Sequence, residues 1–195
     1  DLVDGATLTA RARDDIYIVE RNGDINVASL FAETGGVYLA ADGAVVDALN
    51  NDFAKIAANH IDLTAVGGTI GESGDYLETD LAGEGTLVAN AEGTIWIYET
   101  FDNMNVEQVK SNTGDVDLKA NLSILDAEGT GAAEIVGYDI RLTAEVGGIG
   151  VSGDDVDIDS DYNWSSGPHG TLTSSSALNS AKIAAPRTRK CRRGS

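Results

Sequence analysis

Val116-Asp-Leu-Lys-Ala120 and Ile140-Arg-Leu-Thr-Ala144 share one pattern, with apolar residues at the first, third and fifth positions and polar residues between them. Side chains alternate across a strand with period two, so each stretch has one inward and one outward face. Val116, Leu118 and Ala120 are expected inside with Asp117 and Lys119 outside. Likewise Ile140, Leu142 and Ala144 are expected inside, with Arg141 and Thr143 facing solvent. The same five-residue unit recurs as IYIVE from Ile16, VYLAA from Val37, IDLTA from Ile61, a weaker YLETD from Tyr76, IWIYE from Ile95 and VDIDS from Val156. Starts fall roughly 15 to 24 residues apart, the length of one coil in a solenoid of short strands. Stacked coils then set Val116 over Ile95 and Ile140 over Val116, forming an aliphatic column.

A longer period underlies the short one. Ile16-Tyr-Ile-Val-Glu20 recurs 79 residues later as Ile95-Trp-Ile-Tyr-Glu99, and the offset holds for Thr34-Gly35 and Thr113-Gly114. It also relates Asp47-Ala48 to Asp126-Ala127 and Ser73-Gly74-Asp75 to Ser152-Gly153-Asp154. Only near the end does the register slip, by six residues, so that Gly85-Thr86-Leu87 answers to Gly170-Thr171-Leu172. The expected organisation is a lead-in or cap over 1–15, a first copy over 16–94, and a second copy over 95–175 with an inserted loop at 161–169. A basic tail over 176–195, expected to be disordered, follows. The fold class expected is all-β: a right-handed parallel β-helix of about eight coils, built from two 79-residue copies. An antiparallel sandwich also has short alternating strands, but it expects an inward aromatic anchor, and Trp96 and Tyr98 fall on the outward phase.

Composition agrees with many short strands. The 195 residues are 42% hydrophobic but only 6% aromatic, with 23 glycines for turns and 2 prolines. The net charge of -19 is unevenly spread: six of the 13 basic residues lie beyond Ala181, after all 32 acids, leaving residues 1–181 at 7 − 32 = −25. Such a body repels nucleic acid and anionic membranes and attracts divalent cations. No apolar run approaches the ~20 residues that span a bilayer, so no membrane insertion is expected. Cys191, the one cysteine, sits in the tail, which removes disulfides, thiolate metal sites and a cysteine nucleophile from the body.

The acid-rich run AEVGGIGVSGDDVDIDS, 144–160, looks at first like an ion loop. Its Gly147-Gly-Ile-Gly150 opens like a calcium-binding β-roll repeat, but Ser152 stands where the liganding aspartate belongs. Asp155, Asp157, Asp159 and Asp161 fail as an EF-hand loop, since Ser160 replaces the turn glycine and Ser166 the bidentate glutamate. A phosphate loop is excluded because a strand, not a helix, follows the glycines. The expected outcome is a strand with Val156 and Ile158 inward and Asp155, Asp157 and Asp159 together outside, a candidate site for calcium, the one cofactor considered. Tyr162, Trp164 and His169 in the inserted loop are the candidate binding residues, because loop aromatics anchor recognition. No catalytic residue is assigned. Outward acids Asp62, Asp117 and Asp139, with Arg141 or Lys119 nearby, resemble the clustered acids of carbohydrate-active β-helices, yet the two copies do not keep an acid–base pair.

Runs such as IDLTAVGGTIGESGDYLETDLAGEGTLVANAEGTIWIYET, TGDVDLKANLSILDAEG and IRLTAEVGGIGVSGDDVDIDS resemble the repeats of filamentous-haemagglutinin-like adhesins and related giant bacterial surface proteins. The resemblance covers roughly residues 15 to 175. It implies a right-handed β-helix in a long secreted or cell-surface stalk, adhesion or matrix roles, and no catalytic residues. Host-cell or matrix glycans or proteins, and neighbouring repeats of the parent chain, are the partners it implies. The alternative expectation is a polysaccharide lyase or hydrolase using the outward acids.

Overall fold

The computed structural model describes residues 2–3 and 5–160 and the backbone strand Leu172–Ser176. Within them every pairing between named strands is parallel, and the chain winds into a parallel β-solenoid of about seven turns, against the eight expected. One ladder stacks Ile95–Glu99, Val116–Ala120, Ile140–Ala144 and Leu172–Ser176 in register, Ile95 beside Val116, Val116 beside Ile140 and Ile140 beside Leu172. A second stacks Ile16–Glu20, Gly36–Ala41 and the later halves of Ile56–Ala65 and Leu77–Ala91, through Ile16, Val37, Ile61 and Leu87. Because register is unshifted along both, like faces meet like faces. Val37, Ile61, Leu87, Ile95 and Val116 are wholly buried, and each such side chain contributes about 1.5–3 kcal/mol of burial.

The alternation assigns inside and outside correctly at Val116, Leu118, Ala120, Ile140, Leu142 and Ala144, all buried, and Trp96 and Tyr98 lie on the outward phase. Asp117 differs: it too is buried, because a turn from two coils earlier and Arg141 from the next cover it. The weak YLETD unit is the start of a 15-residue strand, Leu77–Ala91, with Glu78 and Thr79 buried beside Leu77. VDIDS contributes only Ile158–Asp159.

Two long strands were hidden from the five-residue pattern, and they position the polar core. Ile25–Ala32 pairs through Ile25–Val27 with Val45–Asp47 and through Leu30 and Phe31 with Ile56 and Ala57. The partner coil therefore has eight extra residues, 48–55, looped out between two rungs that share one strand. Met104–Ser111 does the same with Ile124–Asp126 and Ile135–Val136, and the loop is 127–134. Val45 continues through Ile70 to Ile95 by single bridges, closing a further side of the tube.

Candidate functional site

Register alone builds the outer groove. Trp96, Asp117 and Arg141 are successive residues of one rung line, all on the outward phase. The turn 71–76, pinned by reciprocal hydrogen bonds between Glu72 and Asp75 at 2.9 and 3.0 Å, lays Tyr76 across them. Gly71 makes this close approach possible. Its φ is +68°, and a Cβ there would come within 2.3 Å of the Trp96 carbonyl. Asp115 and Asp139 complete the wall, and Asp115 Oδ1 accepts from the Asp139 backbone N–H at 3.0 Å.

Asp117 is the electrostatic centre of this groove. Its Oδ2 accepts from Arg141 Nη1 at 3.0 Å, while Oδ1 is buried without a hydrogen bond. Burial pushes the Asp117 carboxyl up, opposed by Tyr76 and Arg141. Burial, then the negative charge of Asp117, pushes the Tyr76 phenol to about 12, so it stays a neutral donor. An indole face, a phenol, a guanidinium and carboxylates on one shallow wall suit the mixed apolar and hydroxyl character of a sugar.

A second constellation lies buried beneath the looped-out 48–55 segment. Asp47, Asp75 and Glu78 bring carboxylate oxygens within 4.8 Å of one another, an arrangement able to chelate a cation such as calcium. The cation present is the chain's own. Lys55 Nζ stands 3.1 Å from Asp47 Oδ2 and 3.1 Å from Glu78 Oε2, and donates to the carbonyls of Asn51 and Phe53 at 2.6 Å each. The Lys55 side chain is only 1% exposed. Burial raises Glu78, and the hydrogen bond from Lys55 draws it back down. Glu99, fully buried, is a further polar residue of the interior: it accepts from Thr79 Oγ1 at 2.9 Å and from the Leu81 N–H at 3.0 Å. Burial outweighs those bonds and lifts its carboxyl to about 7.

The residues singled out from sequence separate in space. Asp117, Asp139 and Arg141 meet in the groove. Asp62 sits on the other ladder beside Tyr38, its carboxyl raised by burial, and Lys119 pairs instead with Glu145 at 2.8 Å while lying over the Tyr98 ring. His60, within strand Ile56–Ala65, meets Thr86 Oγ1 through Nδ1 at 2.7 Å. Of the acidic run, Asp157 turns to the 127–134 loop, where its Oδ2 lies 3.7 Å from where a Gly131 Cβ would be, and its N–H donates to Glu134. Asp155 and Asp159 are half-buried on either side of it. Tyr162, Trp164, His169 and the tail 177–195 lie outside the described residues. Tyr76, Lys55, Glu78 and Glu99 escaped the sequence reading. None of the four is marked by a motif; Lys55 stands out only as one of seven basic residues in the acidic body 1–181.

The chain matches no family model, no curated protein and no solved structure. Among the described residues no helix is long and apolar enough to cross a membrane.

Proposed function

We propose that the chain is a rigid spacer of a large secreted or cell-surface bacterial protein of the filamentous-haemagglutinin-like kind, extending an acidic surface outside the cell. In this reading it winds right-handed, as parallel strand crossovers do. Neighbouring repeats of the parent chain stack on its ends, and the Tyr76–Asp117–Arg141 groove is its contact for host-cell or matrix glycans or proteins. The observation that carries the reading is the uninterrupted parallel ladder with its aliphatic columns, which gives length and stiffness for few residue types. Two 79-residue copies are supported by pairings that recur at that offset: Ile16 with Val37 and Ile95 with Val116, then Val37 with Ile61 and Val116 with Ile140.

The groove itself favours a second reading, a carbohydrate-active enzyme. Asp117 and Asp139 flank one surface there, with a guanidinium beside them and one carboxyl raised by burial. Glycan-array and cell-binding assays run beside polysaccharide turnover separate the two. The spacer reading expects binding without turnover, weakened by Trp96→Ala. Turnover that Asp117→Ala or Asp139→Ala abolishes overturns it in favour of the enzyme.

A further inference from the structure

The loop that encloses Lys55 has a counterpart 79 residues on, and the two share their backbone. Asn50 has φ +46° and Gly129 +59°, both left-handed. Leu49 N–H donates to Asp47 Oδ1 at 2.7 Å, and Glu128 N–H to Asp126 Oδ1 at 2.7 Å. Lys55 N–H donates to the Glu78 carbonyl at 2.9 Å, and Glu134 N–H to the Asp157 carbonyl at 3.0 Å. The strand below also matches, with Leu30 N–H on the Lys55 carbonyl and Val109 N–H on the Glu134 carbonyl, each at 2.7 Å. Asp47, Asp75 and Glu78 thus correspond to Asp126, Asp154 and Asp157. At the centre, however, an ammonium has become a carboxylate: Lys55 corresponds to Glu134.

The substitution leaves an unresolved charge. Glu134 is 3% exposed, and its Oε1 is buried with no hydrogen-bond partner. Its other oxygen accepts from the Asp157 N–H at 2.7 Å. The neighbouring charges that act on it are Asp126 and Asp157, both negative. Asp154 Oδ1 and Asp157 Oδ2 both reach the loop, at 3.4 Å from a Gly129 Cβ position and 3.7 Å from a Gly131 one. This set stands wider than the first, since among the described residues only Asp47, Asp75 and Glu78 bring carboxylate oxygens within 4.8 Å of one another. A buried, half-unpartnered carboxylate ringed by three half-buried ones calls for a counter-ion.

We propose that the 126–134 loop is a site for a divalent cation of the calcium class, which takes in the second half the place that the Lys55 ammonium takes in the first. Glu134, Asp126, Asp154 and Asp157 supply its carboxylates. The carbonyls of Thr130 and Ala132 correspond to those of Asn51 and Phe53 that receive Lys55. Hard oxygen donors numbering about six, on a loop with two glycines, suit Ca²⁺ better than the tighter octahedron of Mg²⁺. One half of the molecule carries its cation covalently and the other recruits it.

Calorimetric titration of the full chain with CaCl₂, beside thermal melting in excess calcium or chelator, tests this. The expected result is saturable binding of one ion, with melting raised by roughly 5–10 °C at a hundredfold excess over the dissociation constant. Glu134→Lys should abolish both the binding and the calcium dependence, with melting in chelator at or above that of the calcium-loaded parent. Should that variant fail to fold, Glu134→Gln should weaken calcium binding at least tenfold. No saturable binding by the parent overturns the proposal, as does unchanged binding in either folded variant.

Discussion

Replacing Lys55 with methionine keeps most of its volume and removes only its charge, so the loss isolates what the ammonium does. Its Nζ contacts two carboxylates at 3.1 Å and two carbonyls at 2.6 Å, with 1% of the side chain exposed. Without it Asp47 keeps its backbone donors from Leu49 and Asn51. Glu78 loses its hydrogen bond from Nζ while remaining buried. Removing one partner of a buried ion pair costs about 3–5 kcal/mol, much of it from the stranded opposite charge. At about 2–4 °C per kcal/mol for a chain of this size, melting at pH 7.5 should fall by roughly 10 °C. The deficit should shrink toward pH 5. The stranded Glu78 carboxyl, already pushed up by burial, then takes up a proton in the folded state and sheds the repulsion. Differential scanning fluorimetry at both pH values reads the effect. A fall below about 2 °C at pH 7.5, or an equal deficit at pH 5, refutes the argument that Lys55 is a structural counter-ion.

Glu99 should make stability pH-dependent in the opposite sense to a salt-bridged acid. Its folded carboxyl lies at about 7 against an ordinary 4.5, so the folded state holds a proton that the unfolded chain releases. Stability therefore falls as pH rises from about 4.5 to 7, by roughly 3 kcal/mol, and levels off above. Urea denaturation from pH 5 to 8 should show that slope in the parent and a flatter one in Glu99→Gln. Gly71→Ala should destabilise more than Gly74→Ala: both need a left-handed backbone, worth about 1–2 kcal/mol, but only at Gly71 does the new methyl collide with the Trp96 carbonyl. Equal melting temperatures for the two variants would remove the steric account of the groove's rim.

The columns were legible because Ile95, Val116 and Ile140 each begin a strict alternation, and a parallel ladder needs nothing more to bring them together. Ile25–Ala32 was not legible as one strand, since Ser29 and the exposed Phe31 break its alternation where one strand serves two partners. Asp117 read as an outward acid because its neighbours in sequence make it one; the Tyr76 turn that covers it is contributed by a coil two earlier. Lys55 was invisible for a general reason. Lysine is among the residues least often buried, and its partner Glu78 is brought to it only when the next coil stacks. The groove was half visible: Asp117, Asp139 and Arg141 were named as outward neighbours, whereas Tyr76 counted only as the edge of a weak strand.

The rung spacing itself is the most direct test of a rigid solenoid. Val19, Ala40, Thr64, Asn90 and Lys110 follow one another along a single ladder, one per coil. Cys191→Ser permits paired nitroxides at 19 and 90, or at 19 and 110, for double electron–electron resonance. At ~4.8 Å per rung, separations of ~14 Å and ~19 Å are expected, narrowly distributed and growing linearly with rung number. Broad distributions, or a 19–110 separation no longer than that of 19–90, would contradict the parallel stack on which the spacer reading stands.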